Sequence, residues 1–254
     1  MAATAVLTPR DVATTHNYYK ALDNDPPRRY VRVEPPEGKP DTNVGLDPRP
    51  ALVHDVRGRE ADFSLDKNGF QYLRWPSVEK DFADDEVIKD KYYPEVEQIL
   101  KEATGAKRVY IFDHTVRLRR ARQVPLPRRG RAPPAVARTH HQRLAADPNP
   151  VAHAPLALGD WRTLDPADLV SIDLVYPDRH GTTYSVNYNG DSEIRWYFLG
   201  GQTPDEVTLI KCFDSETGET ARLTPHTAFR DAGSPRDAPH RQSIEVRALV
   251  FDAE

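Results

Sequence analysis

The C-terminal third of the chain carries five short runs, "DLVSIDLVY", "TTYSVNY", "IRWYFL", "DEVTLIKCF" and "SIEVRALVF". They are rich in β-branched and aromatic residues. Turn chemistry separates them, at Pro177-Asp178, Asn189-Gly190-Asp191, Gly200-Gly201 and Ser215 to Gly218. In the last run Ile244, Val246, Ala248 and Val250 alternate with Ser243, Glu245, Arg247 and Leu249. A period of two puts the apolar set on one face of a strand. Five strands at this spacing predict an all-β sandwich or barrel rather than a parallel α/β sheet. No internal repeat is visible.

Upstream, the pattern predicts one helix, from Asp85 to about Thr104. Val87, Ile88, Tyr92, Val96, Ile99 and Leu100 recur at three- and four-residue steps, and Gly105 stands where a helix stops. A buried strand is expected at Val109 to Phe112. Residues 1–52 read as a loop-rich extension packing on a core domain of 53–254. The stretch "VEPPEGKPDTNVGLDPRP" holds five prolines and two glycines, and one short strand is expected at Arg29–Val33. The piece "VHDVRGREADFSLDKNGFQYLRWPS" reads as two extended segments about an Asn68-Gly69 turn.

Composition narrows the class. With 254 residues the chain is long enough to bury a core, and 23 prolines argue against long uninterrupted helices. A lone Cys212 excludes a disulfide framework and any multi-cysteine metal site. No window approaches 18 apolar residues, and Met1 to Arg10 lacks the basic start of a signal peptide. The expectation is a cytoplasmic protein without membrane contact. The net charge of −4 hides a basic segment: Lys107 to Arg143 holds eleven Lys/Arg and one acidic residue, Asp113. Prolines 125, 127, 133 and 134 interrupt it and no aromatics interleave beyond Phe112 for base stacking, so residues 116–150 read as an irregular solvated connection. No nucleic-acid partner is expected.

No phosphate loop, nucleophile elbow or Cys/His pairing is present. His16, His54, His153, His180 and His240 read as loop residues without function. His226, in "TPHTAF", differs: fifteen residues later Arg241 and Ser243 open a strand. Non-haem iron oxygenases use such an order. The imidazole binds the metal, while the guanidinium and hydroxyl hold the far carboxylate of 2-oxoglutarate. Tyr184 and Tyr188 are candidates to assist that carboxylate, as is Arg247, with a packed or ion-paired strand position as the alternative for each. Trp196 and Phe198 read as barrel packing before pocket lining.

The strings "NYNGDSEIRWYFLGGQTPDEVTLIKCFDS", "TPHTAF", "RQSIEVRALVF", "FDHTVR" and "PLALGDWRTLDPADL" together resemble the fungal AsaB-like hydroxylase/desaturase family, from about Val53 to Phe251. That family also takes in gibberellin desaturase and the hydroxylase component of cephamycin methoxylation. The resemblance implies a mainly β fold with flanking helices, a jelly roll or double-stranded β-helix. It implies Fe(II) and 2-oxoglutarate as cofactors, and hydroxylation or desaturation of a small molecule in secondary metabolism. Relatives place their first two iron ligands in a short H-x-D motif. Carried onto "VARTHHQR", the motif histidine is His140, with His141 as the alternative, and Gln142 stands where the aspartate belongs. Asp147 is a distant stand-in. The implied metal residues are His140 and His226, and the implied co-substrate residues are Arg241, Ser243 and Tyr188.

The family also has a helix and a Trp-Arg-Pro strand between this motif and "PVAHAPLAL". Here only Arg143 to Pro150 intervene, so roughly thirty residues are missing. The alternative reading is a catalytically impaired jelly-roll relative, or a mis-spliced product, lacking the iron-binding aspartate.

Overall fold

The structure, a computed structural model, describes residues 9–79, 81–117, 138–143, 150–191, 193–238 and 241–252, with backbone alone for 138–143. Its strands are β1 (Val12–Ala21), β2 (Arg28–Tyr30), β3 (Val44–Asp55), β4 (Phe70–Arg74), β5 (Arg108–Arg117), β6 (Arg138–Arg143) and β7 (Leu156–Gly159). They continue with β8 (Leu169–Val175), β9 (His180–Val186), β10 (Trp196–Phe198), β11 (Glu206–Phe213), β12 (His226–Ala228) and β13 (Ser243–Phe251). One sheet has the order β1-β3-β10-β7-β12 and a second β4-β11-β6-β13-β5; β2-β8-β9 form a third, smaller one. The two large sheets face each other across a buried cluster. Leu158 of the first meets Phe70, Tyr72 and Ile210 of the second, with Val56, Phe63 and Leu199. This is the jelly-roll architecture the family resemblance implies, within the all-β class the strand runs predict.

All five C-terminal runs form strands, although β8 and β9 lie in the small sheet and not in the barrel. The N-terminal part departs from expectation. β1 and β3 form a long antiparallel ribbon from Val12 opposite Val53 to Ala21 opposite Val44, and the 52/53 boundary falls inside β3. Pro48 and Pro50 are compatible with it because their rows are two apart, opposite Asn17 and Thr15. Alternate N–H groups of β3 point away from β1, and β10 covers β3 only at Val53 to Asp55. Both prolines thus lack a donor on an open edge, where no ladder bond is lost.

Asn68-Gly69 is likewise not a hairpin turn. It ends a short helix α1 (Leu65–Asn68), whose Gly69 takes φ +88° and donates its N–H to Leu65 O. The predicted long helix is present as α2 (Asp85–Val87), one wider π-helical turn (Ile88–Tyr92) and α3 (Tyr93–Thr104). Asp84 accepts at its start from Glu86 N at 2.8 Å and Val87 N at 3.2 Å. Gly105, at φ +73°, closes it. Val96, Ile99 and Leu100 bury one helical face against Leu209, Ile244, Val246 and Ala248.

The basic segment is only partly within view. Residues 138–143 are a strand rather than irregular, while 118–137 and 144–149 lie outside the described residues.

Candidate active site

The alternation along β13 decides which side of the second sheet holds chemistry. Ile244, Val246 and Ala248 face α3, so Ser243, Glu245 and Arg247 face the other way, toward the interior between the sheets. Their partners on β5 are Arg117, Thr115 and Asp113 respectively. The sequence pattern marks this face as polar, yet it is not solvated: Ser243 is 1% exposed and Glu245 8%.

Burial makes the pairing on this face strict. Arg247 bonds Asp113 and places Nη2 2.6 Å from Glu245 Oε1. Arg117 Nη2 reaches Glu245 Oε2 at 3.5 Å. Arg247 is therefore the ion-paired strand arginine, not a free second anchor. Arg241, just before β13, makes no hydrogen bond or ion pair with any described residue. Burial pushes its pKa down to about 10, helped by the like charge of Arg117 and opposed by Glu245. The Ser243 hydroxyl is buried and also without a partner among the described residues. Among the described residues, a largely buried guanidinium without an ion-pair partner and a buried hydroxyl without a hydrogen-bond partner thus stand two residues apart in the chain, a combination chemically suited to an anion that accepts hydrogen bonds.

The strand registers order the histidines. Across the second sheet one row runs Phe70, Ile210, His140, Arg247, Asp113, and the next Tyr72, Thr208, Gln142, Glu245, Thr115. Phe70, Tyr72 and Ile210 belong to the cluster between the sheets. His141 instead shares the row of Leu209 and Val246, which pack on the helix side. His226, on the edge strand of the opposite sheet, pairs with Leu158, a member of the same inner cluster. Its Nδ1 lies 3.0 Å from Thr224 O. A carbonyl only accepts, so Nδ1 carries the proton and Nε2 is the basic nitrogen, the tautomer a metal ligand needs.

Other candidates fall elsewhere. Tyr188 packs on Tyr18 at 5.3 Å, beneath the Arg49 guanidinium at 4.5 Å, and none of these contacts joins it to Arg241 or Ser243. Tyr184 is exposed on β9. Trp196 and Phe198 are packing residues: Trp196 Nε1 donates to Tyr18 Oη at 3.2 Å, and Phe198 meets Phe229 edge-on. His16, His54 and His180 lie on strands, not in loops, whereas His240 is outside the described residues. Arg117 and Glu245 were not singled out as site residues from the sequence. Only the register of β5 against β13 reveals them.

Of the residues expected to ligate iron, His140 thus has its backbone in the row of Phe70 and Ile210, His226 stands opposite Leu158 on the other sheet, and Gln142 occupies the position where the resemblance expects a carboxylate. Among the described residues no three His, Cys, Asp or Glu side chains stand together as a metal site.

A jelly roll with a buried cationic end is the class these features define. A family model described as "Oxidoreductase/YMDC permease-like domain" matches residues 16–147 and 145–251. The hydroxylase/desaturase asaB of Aspergillus flavus is 31% identical, over 81% of this chain and 82% of that protein. The Fe(II)/2-oxoglutarate-dependent dioxygenase nvfI of Aspergillus novofumigatus is 29% identical, over 87% and 90%. A solved structure of the iron and alpha-ketoglutarate-dependent endoperoxidase NvfI superposes with a TM-score of 0.79 at 23% identity, covering 96% of this chain and 99% of that one. The chain belongs to the AsaB-like hydroxylase/desaturase family. The two matched pieces of the family model meet at residues 145–147, where the sequence is expected to lack a helix and a strand.

Proposed function

We propose that the protein is an oxidoreductase of the Fe(II)/2-oxoglutarate type acting on a small molecule, with a weakened metal centre. The observation that carries this reading is the pair at the start of β13: a largely buried Arg241 and, two residues on, the Ser243 hydroxyl, neither with a hydrogen-bond or ion-pair partner among the described residues. A 2-oxo acid with a distal carboxylate supplies the charge the first lacks and the acceptor the second lacks. His140 and His226 would hold the metal. Bound iron supplies dioxygen activation coupled to decarboxylation of the co-substrate, and the chain's own share is ligation, orientation and a dry interior. Gln142, a neutral ligand in the aspartate's place, favours a second reading in which the same fold binds the co-substrate without turnover.

Anaerobic titration with Fe(II) and 2-oxoglutarate separates the two. A visible charge-transfer band is expected if the centre assembles, at micromolar or weaker iron affinity. If there is no band and no retained iron, the oxygenase reading fails for this chain and the binding reading stands. Gln142→Asp is expected to raise iron affinity about tenfold or more, since outer-shell partners alone are worth about 10–100-fold. A flat response in that variant would assign the lesion to the missing segment instead.

A further inference from the structure

At the Ser243 end of the interior face, on and beside β5 and β13, the charges of the described residues do not balance: three cations, Arg117, Arg241 and Arg247, stand against two carboxylates, Glu245 and Asp113. Arg247 takes Asp113 and one Glu245 oxygen at close range. Arg117 holds the other oxygen only at 3.5 Å, and its side chain is 55% exposed. In register Arg117 stands directly opposite Ser243, so the two side chains rise from neighbouring strands on one face, with Cβ atoms about 5 Å apart.

We infer that Arg117 is a second cation of the co-substrate site, closing a three-point clamp with Arg241 and Ser243 on the distal carboxylate of a dicarboxylic 2-oxo acid. The inference rests on the reading above and extends it to a residue that reading does not use. Two guanidinium groups close enough to affect each other repel until an anion lies between them, and one carboxylate cancels the excess charge. The long, loosely held Arg117 side chain exchanges its weak contact with Glu245 for that carboxylate at little cost. Glu245 then acts as a positioning residue, holding Arg247 firmly and Arg117 nearby. A clamp of two guanidiniums and a hydroxyl also selects: a 2-oxo acid with a methyl at the far end leaves all three unsatisfied.

The test is direct binding, followed by intrinsic tryptophan fluorescence or thermal shift, of 2-oxoglutarate, glutarate and 2-oxobutyrate to the full chain without added metal. The unaltered chain is expected to bind both dicarboxylates and to discriminate against 2-oxobutyrate. Arg117→Met should weaken 2-oxoglutarate and glutarate about tenfold, the size expected for one charge-assisted contact. It should also flatten the salt dependence of binding. Arg117→Lys should restore most of the affinity, which separates charge from fold. If Arg117→Met binds within twofold of the unaltered chain while Arg241→Met does not bind, the inference is overturned and the functional reading survives. If the unaltered chain binds no dicarboxylate, or Arg241→Met binds as it does, both fail together.

Discussion

Between pH 6.5 and 4 the protein is expected to lose about 3 kcal/mol of stability through one residue, His16. Its imidazole, on β1, is 3% exposed, and neither ring nitrogen has a hydrogen-bond partner among the described residues. Trp196 presents its ring edge-on at 4.5 Å and Phe229 stands at 6.3 Å. Burial alone drives the pKa down to about 4 from an ordinary 6.5. The folded group thus resists protonation that the unfolded chain accepts, so in this window the unfolded state binds more protons. Stability is complete above pH 6.5 and falls as the pH drops toward 4. Urea denaturation across that range should show the slope, and His16→Leu should remove it. The variant should be at least as stable at neutral pH, because it also deletes two unsatisfied nitrogens. An unchanged slope in the variant would place the acid sensitivity in the carboxylates instead.

Ser243→Ala is expected to move stability and binding in opposite directions. The hydroxyl is buried and has no partner among the described residues, so deleting it should stabilise the fold by about 1 kcal/mol. The same deletion removes a donor from the carboxylate site and should weaken 2-oxoglutarate about tenfold. Thermal unfolding without ligand and a binding titration on the same preparation read both effects. A variant that is less stable and binds unchanged would make Ser243 a structural residue. Opposite signs are what a site held unsatisfied for a ligand produces.

The parts of this molecule that were legible in sequence are those governed by local chemistry. The alternation in "SIEVRALVF" placed its apolar set correctly, because neighbouring side chains on a strand must point to opposite faces. Capping by Asp84 and Gly105 bounded the helix for the same kind of reason. Local rules failed at Pro48 and Pro50. Proline density argued for a loop, yet both residues sit at rows of an open ribbon edge where a missing donor costs nothing. They failed again at Asn68-Gly69, whose left-handed glycine ends a helix as readily as it makes a hairpin. His16 looked like a loop histidine because nothing in its neighbours announces that Trp196 will cover it.

The candidate site divides along the same line. His140, His226, Arg241 and Ser243 were readable as residue types in order along the chain. The sheet rows that His140 and His141 occupy were not, because those depend on the register with β11 and β13.

By itself, then, the sequence determined the strand-rich class, the helix and its ends, and the amide at Gln142. Pairing alone decided that Arg117 lies opposite Ser243, that Arg247 is consumed by Asp113 and Glu245, and that Arg241 has no ion-pair partner among the described residues. The physical reason is range: propensity and capping act over a few residues. Burial and charge compensation are settled between strands more than a hundred residues apart, once the sheets have closed on a shared interior.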